Sequence, residues 1–190
     1  MIFVRKIIPV LIAVAVAVSA GLLFAWPALQ NSAFACPLTE SNPQGPYYLA
    51  GAPFKEKFDK MPGQQLIITG TVMNQDCDVV PNAIIDLWQT DSDGNYYFED
   101  FTLRGKVTAD ENGAYAIDTI FPGSYSEDGI TRPSHIHLKI SAPGMTSHTT
   151  QLYFEGDANH DFMTRPSLVL SLDEQDGALH SNFDFVIFTP

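Results

Sequence analysis

Little in this chain is positively charged: 10 Lys and Arg stand against 22 Asp and Glu, for a formal charge of −12 at pH 7. Such a surface repels nucleic acid and anionic membrane, so neither is expected as a partner. Cysteine is nearly absent, with Cys36 and Cys77 alone, which allows one disulfide at most. No long segment repeats its apolar residues with the 3.6 period of a helix, and there is no internal repeat or low-complexity tract. Those absences set aside helical, solenoid and linker-rich architectures.

One long apolar run is present, at the start. Arg5 and Lys6 precede Ile7–Trp26, broken only by Pro9, Ser19 and Gly21, and Ala33-Phe34-Ala35 follows just before Cys36. Residues 1–35 therefore read as an export signal with a small-x-small cleavage site. The run is also long enough to span a bilayer, so an uncleaved amino-terminal membrane anchor is the alternative. Both readings export residues 36–190, to the periplasm or the cell exterior, with membrane contact only through the uncleaved segment. In an oxidising compartment two cysteines pair, and a Cys36–Cys77 disulfide would pin the start of the domain to an early hairpin. A lipid on Cys36 would exclude that bond and is the weaker match.

Residues 36–190 are enough for one domain with a real core. Cys36–Gly63, rich in Pro, Gly and Asn, reads as an irregular arm. Within it, Gly45-Pro46-Tyr47-Tyr48-Leu49 is compact and aromatic, and covering a sheet edge is preferred to lining a pocket mouth. From Leu66 onward short β-branched runs alternate with turns: Leu66–Met73, Ala83–Gln89, Arg104–Ala109, Ala114–Phe121, His135–Ser141, Thr149–Phe154 and Phe183–Phe188. Asp110–Gly113 is expected to join two of these as a hairpin, Asp91–Gly94 to be a turn, and Asp173–Leu179 to hold a turn of helix. The fold class expected is all-β, an antiparallel β-sandwich with an irregular N-terminal arm.

Tyr125–His137 holds a phenol, a guanidinium and two imidazoles. On a strand, His135 and His137 project to one face and Ile136 to the other, making a two-pronged metal clamp. A buried, hydrogen-bonded histidine pair would show the same pattern. His148, His160 and His180 are scattered, which disfavours an all-histidine copper or zinc site. Oxygen donors are then needed, and Tyr96, Tyr97 and Tyr125 each follow a turn.

Five ordered motifs carry a family resemblance: Trp88-Gln-Thr-Asp-Ser-Asp-Gly-Asn-Tyr96, Gly105 to Tyr115, Pro122-Gly-Ser-Tyr125, Arg132-Pro-Ser-His-Ile-His137 and Thr150-Gln-Leu-Tyr-Phe-Glu-Gly156. From about Gly45 to Phe188 the chain resembles the intradiol ring-cleavage dioxygenases, in particular the protocatechuate 3,4-dioxygenase subunits and their small exported relatives. The resemblance implies a ferric ion, Fe(3+), held by Tyr96, Tyr125, His135 and His137, with Tyr97 the rival for the first place. It implies that Arg132 and Gln151 face the substrate, that Tyr125 is the phenolate displaced during turnover, and that Tyr115 is structural. The substrates implied are a small aromatic diol of the catechol type and O2. Two departures stand out: the span Ser124–Ser134 is short and lacks Trp, and the helical amino-terminal domain of the catechol-cleaving branch is missing.

The donor set has its own logic. Ionising a phenol of pKa about 10 at pH 7 requires about 4 kcal/mol, which a strong Lewis acid such as ferric iron offsets. Iron(III) with two tyrosinates and one hydroxide is neutral and so tolerates burial. A homo-oligomer is compatible with the sequence, although one chain holds all four implied ligands. Other functions that the residues leave open are a copper or zinc protein using the His-x-His pair, and a non-catalytic exported binding sandwich.

Overall fold

The computed structural model describes residues 35–58, 61–127 and 129–189. The leader read from residues 1–35 lies outside them, Ala35 apart. Two five-stranded sheets carry the fold. The first is built on β1 (Gln65–Asn74), whose alternation buries Leu66, Ile68 and Val72 completely. On one edge it pairs antiparallel with β4 (Ala114–Ile120), and on the other it takes β11 (Ala178–Asn182) and β12 (Phe185–Ile187) in succession, both parallel. β10 (Asp173–Gln175) lies outside β11.

The second sheet positions the site. Its order is β3 (Arg104–Thr108), β2 (Ile84–Gln89), β7 (His135–Ser141), β8 (His148–Phe154) and β9 (Val169–Leu170). Ile85, Leu87, Ile136, Leu138, Ile140 and Leu152 are fully buried in the core shared with the β1 strand. β5 (Tyr125–Glu127) and β6 (Ile130–Arg132) form a separate two-stranded ribbon, and Pro166–Leu168 is a single 3₁₀ turn. Among the described residues no helix is long and apolar enough to cross a membrane.

The sandwich is thus as expected, with three parallel pairings among antiparallel ones. Two local expectations are corrected. Asp110–Gly113 does form a turn, but β3 and β4 are not a hairpin: β3 pairs with β2, β4 pairs with β1, and the turn crosses between sheets. The long β1 offers β4 seven paired positions, and sequence neighbours need not be partners when such an edge is available. Asp173–Leu179 is a hairpin instead of a helical turn, because Asp176 and Gly177 both take positive φ, 51° and 80°, in the two-residue connection that suits β-strand twist.

The arm is irregular, as read, and spans both sheets. Cys36 is disulfide-bonded to Cys77, which closes a 41-residue separation and rules out a lipid on the same sulfur. From there the arm bonds β12 through Thr39 N to Val186 O (3.0 Å) and β8 through Asn42 N to Thr149 O (3.0 Å). It then passes over the start of β7.

Candidate metal centre

β7 is paired on both sides, to β2 and to β8, so its backbone is held along most of its length. Ile136 points into the core and His135 and His137 to the opposite face, each only 2 % exposed. Their Nε2 atoms approach to 3.1 Å. The Nδ1–H of His135 donates to the Pro133 carbonyl at 2.6 Å, which leaves Nε2 as a bare lone pair in the neutral ring. His137 is stacked on Trp88, its partner across the β2–β7 register, at 4.9 Å and 8°. The arm closes over it: a Cβ on Gly45 would lie 3.3 Å from His137 Cε1, and φ there is +72°, so glycine suits the position twice over.

Burial holds both imidazoles neutral. The pKa of His135 is pushed down to about 4, and that of His137 goes well below the ordinary histidine value, with His135 beside it adding to the effect of burial. Two uncharged imidazoles with converging nitrogens are metal ligands in waiting. Among the described residues no group of three or more His, Cys, Asp and Glu is arranged to hold a metal, so further donors must be of another kind.

The phenols supply them. The ring of Tyr125 lies 5.6 Å from that of His135, and Tyr96 lies 5.5 Å from Tyr125, so four rings run in sequence: Tyr96, Tyr125, His135, His137. The Tyr96 oxygen is buried and has no hydrogen-bond partner, as does His137 Nδ1. An orphaned buried phenol is costly unless something binds it. Burial and the nearby Tyr125 raise the Tyr96 pKa well above the usual value; burial also raises that of Tyr125, against the pull of Arg132. Without a cation both phenols stay protonated; a strong Lewis acid suits this donor set. Tyr97, the rival, is turned away and donates to Asp91 Oδ2 at 2.9 Å.

Arg132 and Gln151 are brought together: the guanidinium Nη2 donates to Gln151 Oε1 at 3.2 Å, while its Nε pairs with Asp161 at 2.8 Å. A salt bridge and a place at the site coexist in one side chain. Gln151 is fixed by Pro43 O and by the Tyr153 hydroxyl. Tyr115 is structural, donating to Phe183 O at 2.7 Å. The preferred reading of the Gly45–Leu49 aromatics is overturned for Tyr47. Its ring stacks on Tyr96 at 4.2 Å and 15°, meets Tyr125 edge-on at 5.7 Å, and its hydroxyl donates to Glu127 at 2.8 Å. Tyr48 does pack against the sheet, on Trp88 and Asp86. The compact aromatic motif was the available signal; what it lacked was any period to say which ring faces inward.

Fold and site together define an all-β sandwich with a mixed imidazole and phenol cluster at one end of its central strand. Residues 44–188 match the family model described as Dioxygenase. Catechol 1,2-dioxygenase 2 of Acinetobacter lwoffii is 33 % identical over 154 residues, 66 % of this chain and 56 % of that protein. The solved 3-chlorocatechol 1,2-dioxygenase of Rhodococcus opacus 1CP superposes with a TM-score of 0.74 at 30 % identity, covering 80 % of this chain and 73 % of that one. The dioxygenase domain of a dioxygenase carbohydrate-binding protein fusion from Streptomyces sp. SirexAA-E gives 0.75 at 30 % identity, covering 81 % of this chain and 100 % of that one. The chain belongs to the intradiol ring-cleavage dioxygenase family, whose members use non-haem iron. It spans little more than half the length of the Acinetobacter relative.

Proposed function

We propose that this chain is an iron(III) intradiol dioxygenase that opens the ring of a catechol-type diol between its two hydroxylated carbons, placing both atoms of O2 in the product. The observation that carries the reading is the convergence of two neutral imidazole nitrogens with the rings of two phenols, one of which has its oxygen buried and without a partner. Tyr96, Tyr125, His135 and His137 would hold the ion. Bound there, ferric iron supplies the Lewis acidity that keeps the phenols ionised and draws electron density from the diol ring.

The residues divide the remaining work. Pro133 O and the Trp88 ring orient the two imidazoles. Tyr125 sits on the ribbon instead of in a main sheet, and its phenol oxygen would hold the ion and would be placed to accept a proton from the entering diol. Arg132 stands opposite Tyr125 in that ribbon, and its positive charge stabilises anionic oxygen on the substrate. Asp161 keeps the guanidinium in place and Gln151, held from two sides, offers a fixed amide. We read the domain as exported, on the strength of its leader and its disulfide.

The test is oxygen uptake by purified, iron-loaded protein against catechol, chlorocatechols and protocatechuate, with metal analysis of the same sample. Stoichiometric iron, a visible phenolate-to-iron absorption and uptake with one of these diols are expected. Stoichiometric copper or zinc, or a colourless iron-loaded protein, would overturn the assignment.

A further inference from the structure

Arg104, at the start of β3, is 1 % exposed and pairs with no carboxylate among the described residues. Its Nε donates to Tyr97 O at 3.0 Å and its Nη1 to Tyr47 O, while Nη2 is buried without a partner. A guanidinium is normally buried with a counter-charge in contact; here Asp100 and Asp86 act on it only through space, and two carbonyls and an idle donor group leave it without a direct ionic partner. What lies against it is aromatic: its central carbon is 5.6 Å from the centroid of Tyr96 and 5.8 Å from that of Phe98. The residue before it, Leu103, is fully buried with φ +51°, a conformation that a branched side chain adopts only when its surroundings impose it. Backbone strain, a buried charge without a direct ion pair and two carbonyl anchors thus meet beneath one phenol. Both anchors belong to residues that frame that phenol: Tyr97 is its chain neighbour and Tyr47 stacks on its ring.

We propose that Arg104 is a positioning residue for the metal centre, fixing the ring of Tyr96 from its π face and tempering how much electron density that phenol donates to the metal. The proposal rests on Tyr96 being an iron ligand. A cation held against a phenolate ring makes the phenolate harder to oxidise, so its charge-transfer absorption moves to higher energy. The anchoring of Tyr47 by the same fork couples the arm to the orientation of Tyr96.

The experiment uses the full chain loaded with ferric iron, read by visible absorption, iron affinity and thermal melting. Wild-type protein is measured first: absence of the phenolate band there would overturn the iron reading and this proposal with it. Given that band, Arg104→Gln is expected to move it to longer wavelength and to weaken iron binding about ten-fold, the range for residues that orient a ligand. In a Tyr96→Phe background the same change should leave iron affinity unaltered, because the ring oxygen it acts through is gone. A folded Arg104→Gln protein with an unmoved band, or an undiminished affinity loss in the Tyr96→Phe background, would show a role in packing only. If Arg104→Gln does not fold, Arg104→Lys decides: it keeps the charge but not the fork, so weaker iron binding with the band in place supports the proposal and wild-type affinity sinks it.

Discussion

The two halves of the candidate centre are built differently. The imidazoles stand on β7, a central strand with partners on both sides, and one ring is locked by a carbonyl and the other by an indole. The phenols stand outside the main sheets: Tyr96 on the connection between β2 and β3, Tyr125 on a ribbon whose strands are three residues each. Their places are set by side chains from elsewhere in the chain, Tyr47 from the arm, Arg104 from β3 and Arg132 from β6. On the proposed function, a rigid half that would fix the metal's place and an adaptable half that would make room for a bidentate diol suit the reaction.

This contrast can be broken at its rigid end first. His137→Ala is expected to abolish iron binding, since it leaves only one imidazole of the converging pair, and His148, on β8, pairs with Ile140 at the far end of β7; metal analysis that still finds one iron per chain would refute the role of the pair. Next, replacing Cys36 and Cys77 by Ser frees the arm that covers both halves. Closing a 41-residue separation corresponds to about 4 kcal/mol of stability by loop entropy, to be read as a lower denaturant midpoint, with metal retained if the imidazole half is autonomous.

Acid should strike the rigid half selectively. His135 has a folded pKa of about 4 against an ordinary value of 6.5, so the unfolded chain binds the extra proton between those values. Stability of the metal-free protein from this group is therefore fully present above about pH 6.5 and falls as pH drops toward 4, by about 3 kcal/mol, and His137, shifted the same way, adds to the loss. A chemical-denaturation series from pH 7 to 4 that showed flat stability would contradict the buried neutral pair. The adaptable half is expected to yield more gently. Tyr125→Phe should alter the visible absorption and slow turnover about 100-fold, the range for loss of a proton-transfer group, while shifting stability by less than about 1 kcal/mol. An unchanged spectrum would remove Tyr125 from the ligand set.

How much was legible follows the same division. Alternation along His135-Ile136-His137 placed both imidazoles on one face without any knowledge of what covers them, and β7 occupies the residues expected. The strands β1, β2, β4 and β8 were equally plain, because Leu66–Met73 alternates and the other three are short β-branched and aromatic runs bounded by turns. The Asp-Gly pair at 176 and 177 was a hairpin signal, passed over for a helical turn. Nothing local distinguished Tyr96 from Tyr97, two adjacent phenols on irregular backbone; motif spacing within the family favoured the first, and Asp91 is what draws the second away.

Residue order alone settled the all-β class and the paired presentation of His135 and His137, and favoured a Cys36–Cys77 bond over a lipid, because strand alternation and composition are properties of short stretches of chain. Tertiary structure alone decided that β3 and β4 part to different sheets, that Tyr47 covers the phenols, and that Arg104 lies beneath Tyr96. Each of those outcomes depends on contacts between segments tens of residues apart, where competing edges, buried charges and ring faces are resolved only when the whole sandwich has closed.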